Sequence, residues 1–298
     1  MPELVVIVLR WLQFSGAVVL FGTALFQIYN PTIANERGLR LVVLGAAVGL
    51  VLATPIGLFA QIAIMAGSVE LALDPTSLDF VIRQTALGLA HVARTVLATA
   101  ALGLVLSPLR GRSLSMMVAL LALAICASFA WSGHAGATTG PIAPLHLVAD
   151  VLHTAAAGAW LGALAAFVVI AGHRVDAIGL QRALVGFANV GTGAVVLLTA
   201  TGLVNAFVLV GPENALTALG QTYGQLLALK LALFVGMIAL AASNRFVLTP
   251  ALGEASDGTQ RAASLGHLRR SLMLETALGA ALLAAVAVMG TLAPPAAL

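Results

Sequence analysis

Long apolar runs separated by short polar breaks set the pattern of this chain. Eight runs, at about 4 to 29, 40 to 65, 84 to 107, 113 to 131, 145 to 171, 182 to 210, 222 to 243 and 271 to 293, reach the roughly 20 residues that a helix needs to cross a bilayer. They predict an all-α, polytopic membrane helix bundle that fills 1–298 as one integral membrane domain. The longest connections, 66–83 and 244–270, are too short to hold a soluble domain. The first run has no basic segment before it and carries Arg10 inside its apolar stretch, which marks a retained span rather than a signal peptide.

Composition sharpens this picture. Hydrophobic residues make up 61% of the chain and charged residues 8%, with a mean hydropathy of +1.07, far from the balance of a soluble domain. The pI near 9.8 would suggest nucleic acid in a soluble protein. Here the basic residues sit between spans and report orientation, with a lipid bilayer rather than nucleic acid as the partner. Arg37 and Arg40 lie in the first connection, Arg110 and Arg112 in the third, Arg174 and Arg182 in the fifth, and Arg245, Arg261, Arg269 and Arg270 in the seventh. Only Arg83 flanks the second connection, and the fourth and sixth have no Lys or Arg. The positive-inside rule therefore puts the odd connections in the cytoplasm and both termini outside. The single cysteine, Cys126, lies within the fourth run and excludes an intrachain disulfide. No phosphate-binding loop, nucleophile elbow or H-E-x-x-H motif is present, so the chain is not read as an enzyme.

Against this apolar background the polar residues stand out. His146, Asp150 and His153 fall at i, i+4 and i+7 at the outer mouth of the fifth span, on one face of a helix. A Gly-rich segment with His134 precedes them. Two imidazoles and a carboxylate are a ligand set for a divalent transition metal, and ionisable groups in a span normally face a bundle interior or a cavity. His146 and His153 are about 10 Å apart along the axis, so His153 is expected to be joined by a ligand from another span or from the His134 segment, with His146 nearer the entrance. Arg10, Gln13, Gln61, His91, Arg94, Asn205, Tyr223, Gln225 and Lys230 all fall in the outer halves of their spans, which predicts an outward-facing vestibule. Lys230 is expected to pair with Asp150. Glu275 is the exception, toward the cytoplasmic end of the eighth span. His173 and His267, in basic connections, are expected to be solvated.

A repeat also shows. Thr85–Arg94 and Thr222–Lys230 each place a glycine six residues before a cation, and Gln13–Gly22 can be laid on His153–Gly162. The offset of four spans suggests a parallel 4+4 duplication, with halves 1–131 and 132–298 and Gln13 standing where the second half has His153.

Four stretches, S-G-H-A (Ser132–Ala135), H-x6-W-L-G-x-L (His153–Leu164, with Trp160), T-Y-G-x5-K (Thr222–Lys230) and N-R-F-x-L-x-P-x-L (Asn244–Leu252), resemble the copper resistance protein D (CopD) family of bacterial inner-membrane proteins. The resemblance implies a multi-pass inner-membrane protein of copper homeostasis, conferring resistance or mediating uptake. It also implies copper as the bound ion and a periplasmic copper-binding partner, CopC. Some members carry a CopC-like domain fused to the membrane part; this chain has no segment long enough for one, so such a partner would be separate. The candidate metal ligands are then His134, His146, Asp150, His153 and His91, supported by Trp160, Arg94, Tyr223, Lys230, Asn244 and Arg245. Two other readings remain: a b-type haem held by His91 with His146 or His153, and a transporter of another small solute using Arg94 and Lys230 against an anion.

Overall fold

In lipid each backbone N–H and C=O must be satisfied within its own segment, so apolar runs of this length fold as helices. The structure, a computed structural model, describes residues 2–33, 36–172 and 177–297. Its eight long apolar helices are α1 (Pro2–Tyr29), α2 (Arg37–Ala66), α3 (Ala86–Leu106), α4 (Arg112–Trp131), α5 (Ala143–Gly172), α6 (Ala177–Leu209), α7 (Thr222–Ser243) and α8 (Gly258–Met289). No strand occurs among the described residues. The expected loops at His173 and Arg174 lie outside them.

The two longest connections are largely helical. Between α2 and α3, Pro75–Gln84 is helical: Pro75 stands at its first turn and the Asp74 carboxylate accepts the Ser77 N–H at 3.0 Å. Between α7 and α8 only residues 255–257 are non-helical. A π-turn at Asn244–Leu248 runs into Thr249–Glu254, and α8 then starts at Gly258, where Asp257 accepts the Gln260 N–H at 2.8 Å. The boundary at 271 is thus corrected. Hydropathy marks where lipid begins, whereas Gln260, Arg261, His267, Arg269 and Arg270 are compatible with a helix that continues into water.

α1 and α5 are the centre of the bundle, and they touch backbone to backbone. A Cβ on Gly22 would lie 1.9 Å from the Gly158 carbonyl oxygen, and one on Gly162 would lie 2.4 Å from the Gly22 Cα. Small residues permit this approach, as at other membrane helix crossings. Thr23 Oγ1 donates to the Gly162 carbonyl at 3.2 Å across the same crossing. Around it lie two apolar cores. One gathers Leu20, Val43, Leu50, Ile125 and Cys126 from the first four spans; the other gathers Trp160, Leu164, Phe167, Ile170, Leu180 and Leu268, mostly from the last four.

Candidate metal-binding cavity

At the arginine-poor end of the bundle a cavity of about 220 Å³ is lined by His91, His134, His146, Asp150 and His153 together with Arg10, Arg94, Tyr223 and Lys230. One cavity thus receives residues from α1, α3, α5 and α7, from the short helix His134–Ala137 and, through Asn205, from α6.

The hydrogen bonds assign the imidazole tautomers. His91 Nδ1 lies 2.8 Å from the Leu87 carbonyl, so that nitrogen carries the proton. His146 Nδ1 is 2.7 Å from Thr138 Oγ1, whose own proton goes to the His134 carbonyl at 3.0 Å. His153 Nδ1 is 2.9 Å from Thr201 Oγ1, whose proton goes to the Leu197 carbonyl at 2.6 Å. Each threonine must therefore accept, and each neutral ring keeps its lone pair on Nε2. His134 bonds to the backbone of Met289, and its buried Nε2 has no partner. An imidazole whose other nitrogen donates to a fixed oxygen is oriented and basic enough to ligate a metal. Thr138 and Thr201 are not metal-ligand types, and only Thr138, 8 residues from His146, lies near its histidine in the chain; Thr201 is 48 residues from His153.

His134, beside Tyr223 with ring centroids 6.4 Å apart, has its pKa lowered from the ordinary histidine value. Burial is the main cause, and the nearby Arg10 and His146 add to it against the raising effects of the Met289 bond and Asp150. Asp150 accepts from Asn205 Nδ2 at 3.3 Å. Lys230 is electrostatically coupled to it, yet the expected direct ion pair is not formed: among the described residues the only ion pair is Arg83 with Asp79. Arg94 is fixed by Gln13, Ser128 and Ser132. No group of three His, Cys, Asp or Glu side chains among the described residues is close enough to form a ready coordination sphere. The candidates share a cavity rather than a preformed cage.

Trp160, Asn244 and Arg245 do not reach it. They lie toward the arginine-rich end, with Glu275, beside a second cavity of about 330 Å³. The π-turn brings Asn244 there, and Arg245 ties it to α6 through the Ala188 carbonyl at 3.2 Å and Thr192 Oγ1 at 2.5 Å.

Residues 1–145 match the family model described as "Copper resistance protein D-like, N-terminal domain", and residues 181–289 match "Copper resistance protein D". Copper resistance protein D of Pseudomonas syringae pv. tomato is 32% identical over 300 residues, covering 97% of this chain and 96% of that protein. Inner membrane protein YebZ of Escherichia coli (strain K12) is 30% identical over 298 residues, covering 97% and 98%. No solved structure matches the chain.

Proposed function

Because the chain belongs to the copper resistance protein D family and is a multi-pass inner-membrane protein, we propose that it takes up copper in the histidine-lined cavity and conducts it at the inner membrane. The observation that carries this reading is the set of histidines held with Nδ1 engaged and Nε2 available. Copper is the cargo. His146 meets it near the entrance, His153 and His134 hold it through Nε2, and Asp150 either ligates it or orients a ring. His91, deeper on α3, can supply a further nitrogen.

Charge decides how tightly such an ion is held. Arg10, Arg94 and Lys230 line the cavity against one carboxylate, Asp150. Neutral imidazoles attract the ion by dative bonds while the fixed cations oppose it. A conducting site must bind well enough to admit an ion and weakly enough to release it, and this balance suits passage rather than storage. By the arginine asymmetry the cavity faces outward, where a separate CopC-like periplasmic protein would deliver or receive copper.

A copper titration of detergent-purified protein at about pH 5.5 and about pH 7.5, either side of the ordinary histidine range, tests the site. Binding is expected to be tighter at the higher pH, because protons compete for Nε2, and to fall in His134→Ala and His153→Ala. A wild type that binds no copper, or variants that match it, overturns the proposal; a Soret band in the purified protein would favour the haem reading. Orientation is checked in a Cys126→Ser background with an impermeant thiol reagent. Ala137→Cys should label from outside and Gly111→Cys should not.

A further inference from the structure

The family-motif residues that the outer cavity leaves unused converge on one carboxylate. Glu275 of α8 is 1% exposed. Trp160 Nε1 of α5 donates to its Oε1 at 2.9 Å, and Asn244 Nδ2 of the π-turn donates to its Oε2 at 2.8 Å. Both donors are neutral, and no cation forms an ion pair with this group among the described residues. The charged groups nearby are turned elsewhere. Arg245, which lines the same cavity, is bonded to α6, and Arg269, earlier on α8, is bonded to the Ala171 carbonyl. Arg270 and His267 are exposed. The other residues of α5, α6 and α7 that line the cavity are not ionisable.

We infer that Glu275 is a proton-binding site, loaded through the 330 Å³ cavity from the arginine-rich side of the bundle. A carboxylate inside a membrane protein with neighbours that are all neutral is costly to keep charged and marks an ion or proton pathway. The neighbouring amide is built for both states. Asn244 is 5% exposed and its Oδ1 is buried without a partner. With Glu275 ionised, Nδ2–H donates to Oε2. When a hydronium ion in the cavity gives its proton to Oε2 and leaves as water, a flip of the amide turns Oδ1 toward the new O–H and accepts from it. The π-turn that places Asn244 is a backbone irregularity found often at functional sites. A metal ion is the poorer occupant: the place offers one carboxylate and one amide oxygen, and no cluster of three ligand-type groups exists among the described residues. A proton needs a single acceptor.

Infrared difference spectroscopy on the purified protein in lipid nanodiscs, stepped between about pH 5 and about pH 9, tests this without copper, so its failure and failure of the copper reading are distinguishable. A carbonyl stretch of a protonated buried carboxyl group should grow as pH falls and shift in D2O. It should vanish in Glu275→Gln and persist in Asp150→Asn. Trp160→Phe, which removes a single hydrogen bond, should displace the band, and it serves if the glutamine variant does not fold. A band that survives Glu275→Gln, one that ignores Trp160→Phe, or no band across the range overturns the inference.

Discussion

We propose that the two halves of the bundle are repeats that put matching positions to different ends. In the first half Arg94 is locked: Nε donates to Ser128 at 3.0 Å, and its two terminal nitrogens to Gln13 at 2.9 Å and Ser132 at 3.0 Å, with the guanidinium 3.7 Å from the centroid of the Phe129 ring. Lys230, at the corresponding place in α7, makes no hydrogen bond or direct ion pair among the described residues. The contrast in packing is confined to particular spans: the most apolar windows of α2 and α3 are 39% and 33% buried and those of α6 and α7 17% and 6%, whereas α5, at 56%, is more buried than α1, at 33%. We read the halves as a parallel repeat. Gln13 bonds to the Ala53 carbonyl of α2 and His153 to Thr201 of α6, with Gly57 and Gly202 beside the respective side chains giving each room. Gly88 and Gly224, each six residues before its cation, press on the carbonyls of Val81 and Ala218 in the short helices that precede them. On this reading the first half is a wall that holds its cation by hydrogen bonds and the second is the working half that leaves Lys230 unbonded, although both line the cavity.

Breaking the joint between the halves should have the largest effect. Gly22→Val places a side chain inside the Gly158 backbone, a steric conflict that costs more than the 1 to 3 kcal/mol of ordinary overpacking, and monodisperse protein should be lost in size-exclusion chromatography. A folded Gly22→Val variant would mean that the two halves are not held by this crossing. Next comes the contrast of cations. Arg94→Met should lower stability by about 3 kcal/mol, because charged hydrogen bonds are worth about 1.5 to 3 kcal/mol and Gln13 is left without its donor. Lys230→Met should stay within about 1 kcal/mol of wild type in denaturant unfolding. Equal losses would erase the distinction between wall and working half.

Function should divide the halves in the same way. Thr201→Val removes the acceptor that fixes His153 and should weaken copper binding by roughly 10- to 100-fold, the range seen when a ligand's outer partner is lost. Gln13→Asn, at the matching place in the wall, should leave copper affinity unchanged. The smallest effect is a pH slope. His134 has a lowered pKa, so below about pH 6.5 the unfolded chain takes up a proton before the folded one does. The stability this residue contributes is full above that pH and is lost as pH falls toward its folded pKa. His134→Gln should flatten the dependence of the thermal midpoint between about pH 5 and about pH 7; an unchanged slope would assign it to other groups.

Sequence made the eight spans legible because hydropathy and helix are tied together in lipid. It failed beyond the membrane, where α8 continues through residues that only water requires to be polar. The histidine-lined cavity was legible as polar residues gathered toward one end of the spans, since depth can be counted along each helix. The bonds that set the tautomers were not, because Thr201 lies 48 residues from His153 in the chain. The Glu275 network was hidden for the same reason: its two motif members, Trp160 and Asn244, and the lone Glu275 were recognisable singly, but only folding joins residues separated by 115 and 31 positions.

The glycine contact between α1 and α5 also has a mechanical side. A crossing made largely of glycine backbone, with Thr23 and Phe21 as the side chains at its edge, has few interlocked side chains to resist a small change of angle, so it can serve as a fulcrum. Gln13 and His153 each lie nine residues from their glycine, about 13 Å along the helix axis. Over that lever arm a tilt of roughly 10° moves the mouth of the histidine-lined cavity by about 2 Å, comparable to a metal–ligand bond length, and moves the opposite ends of the same helices the other way.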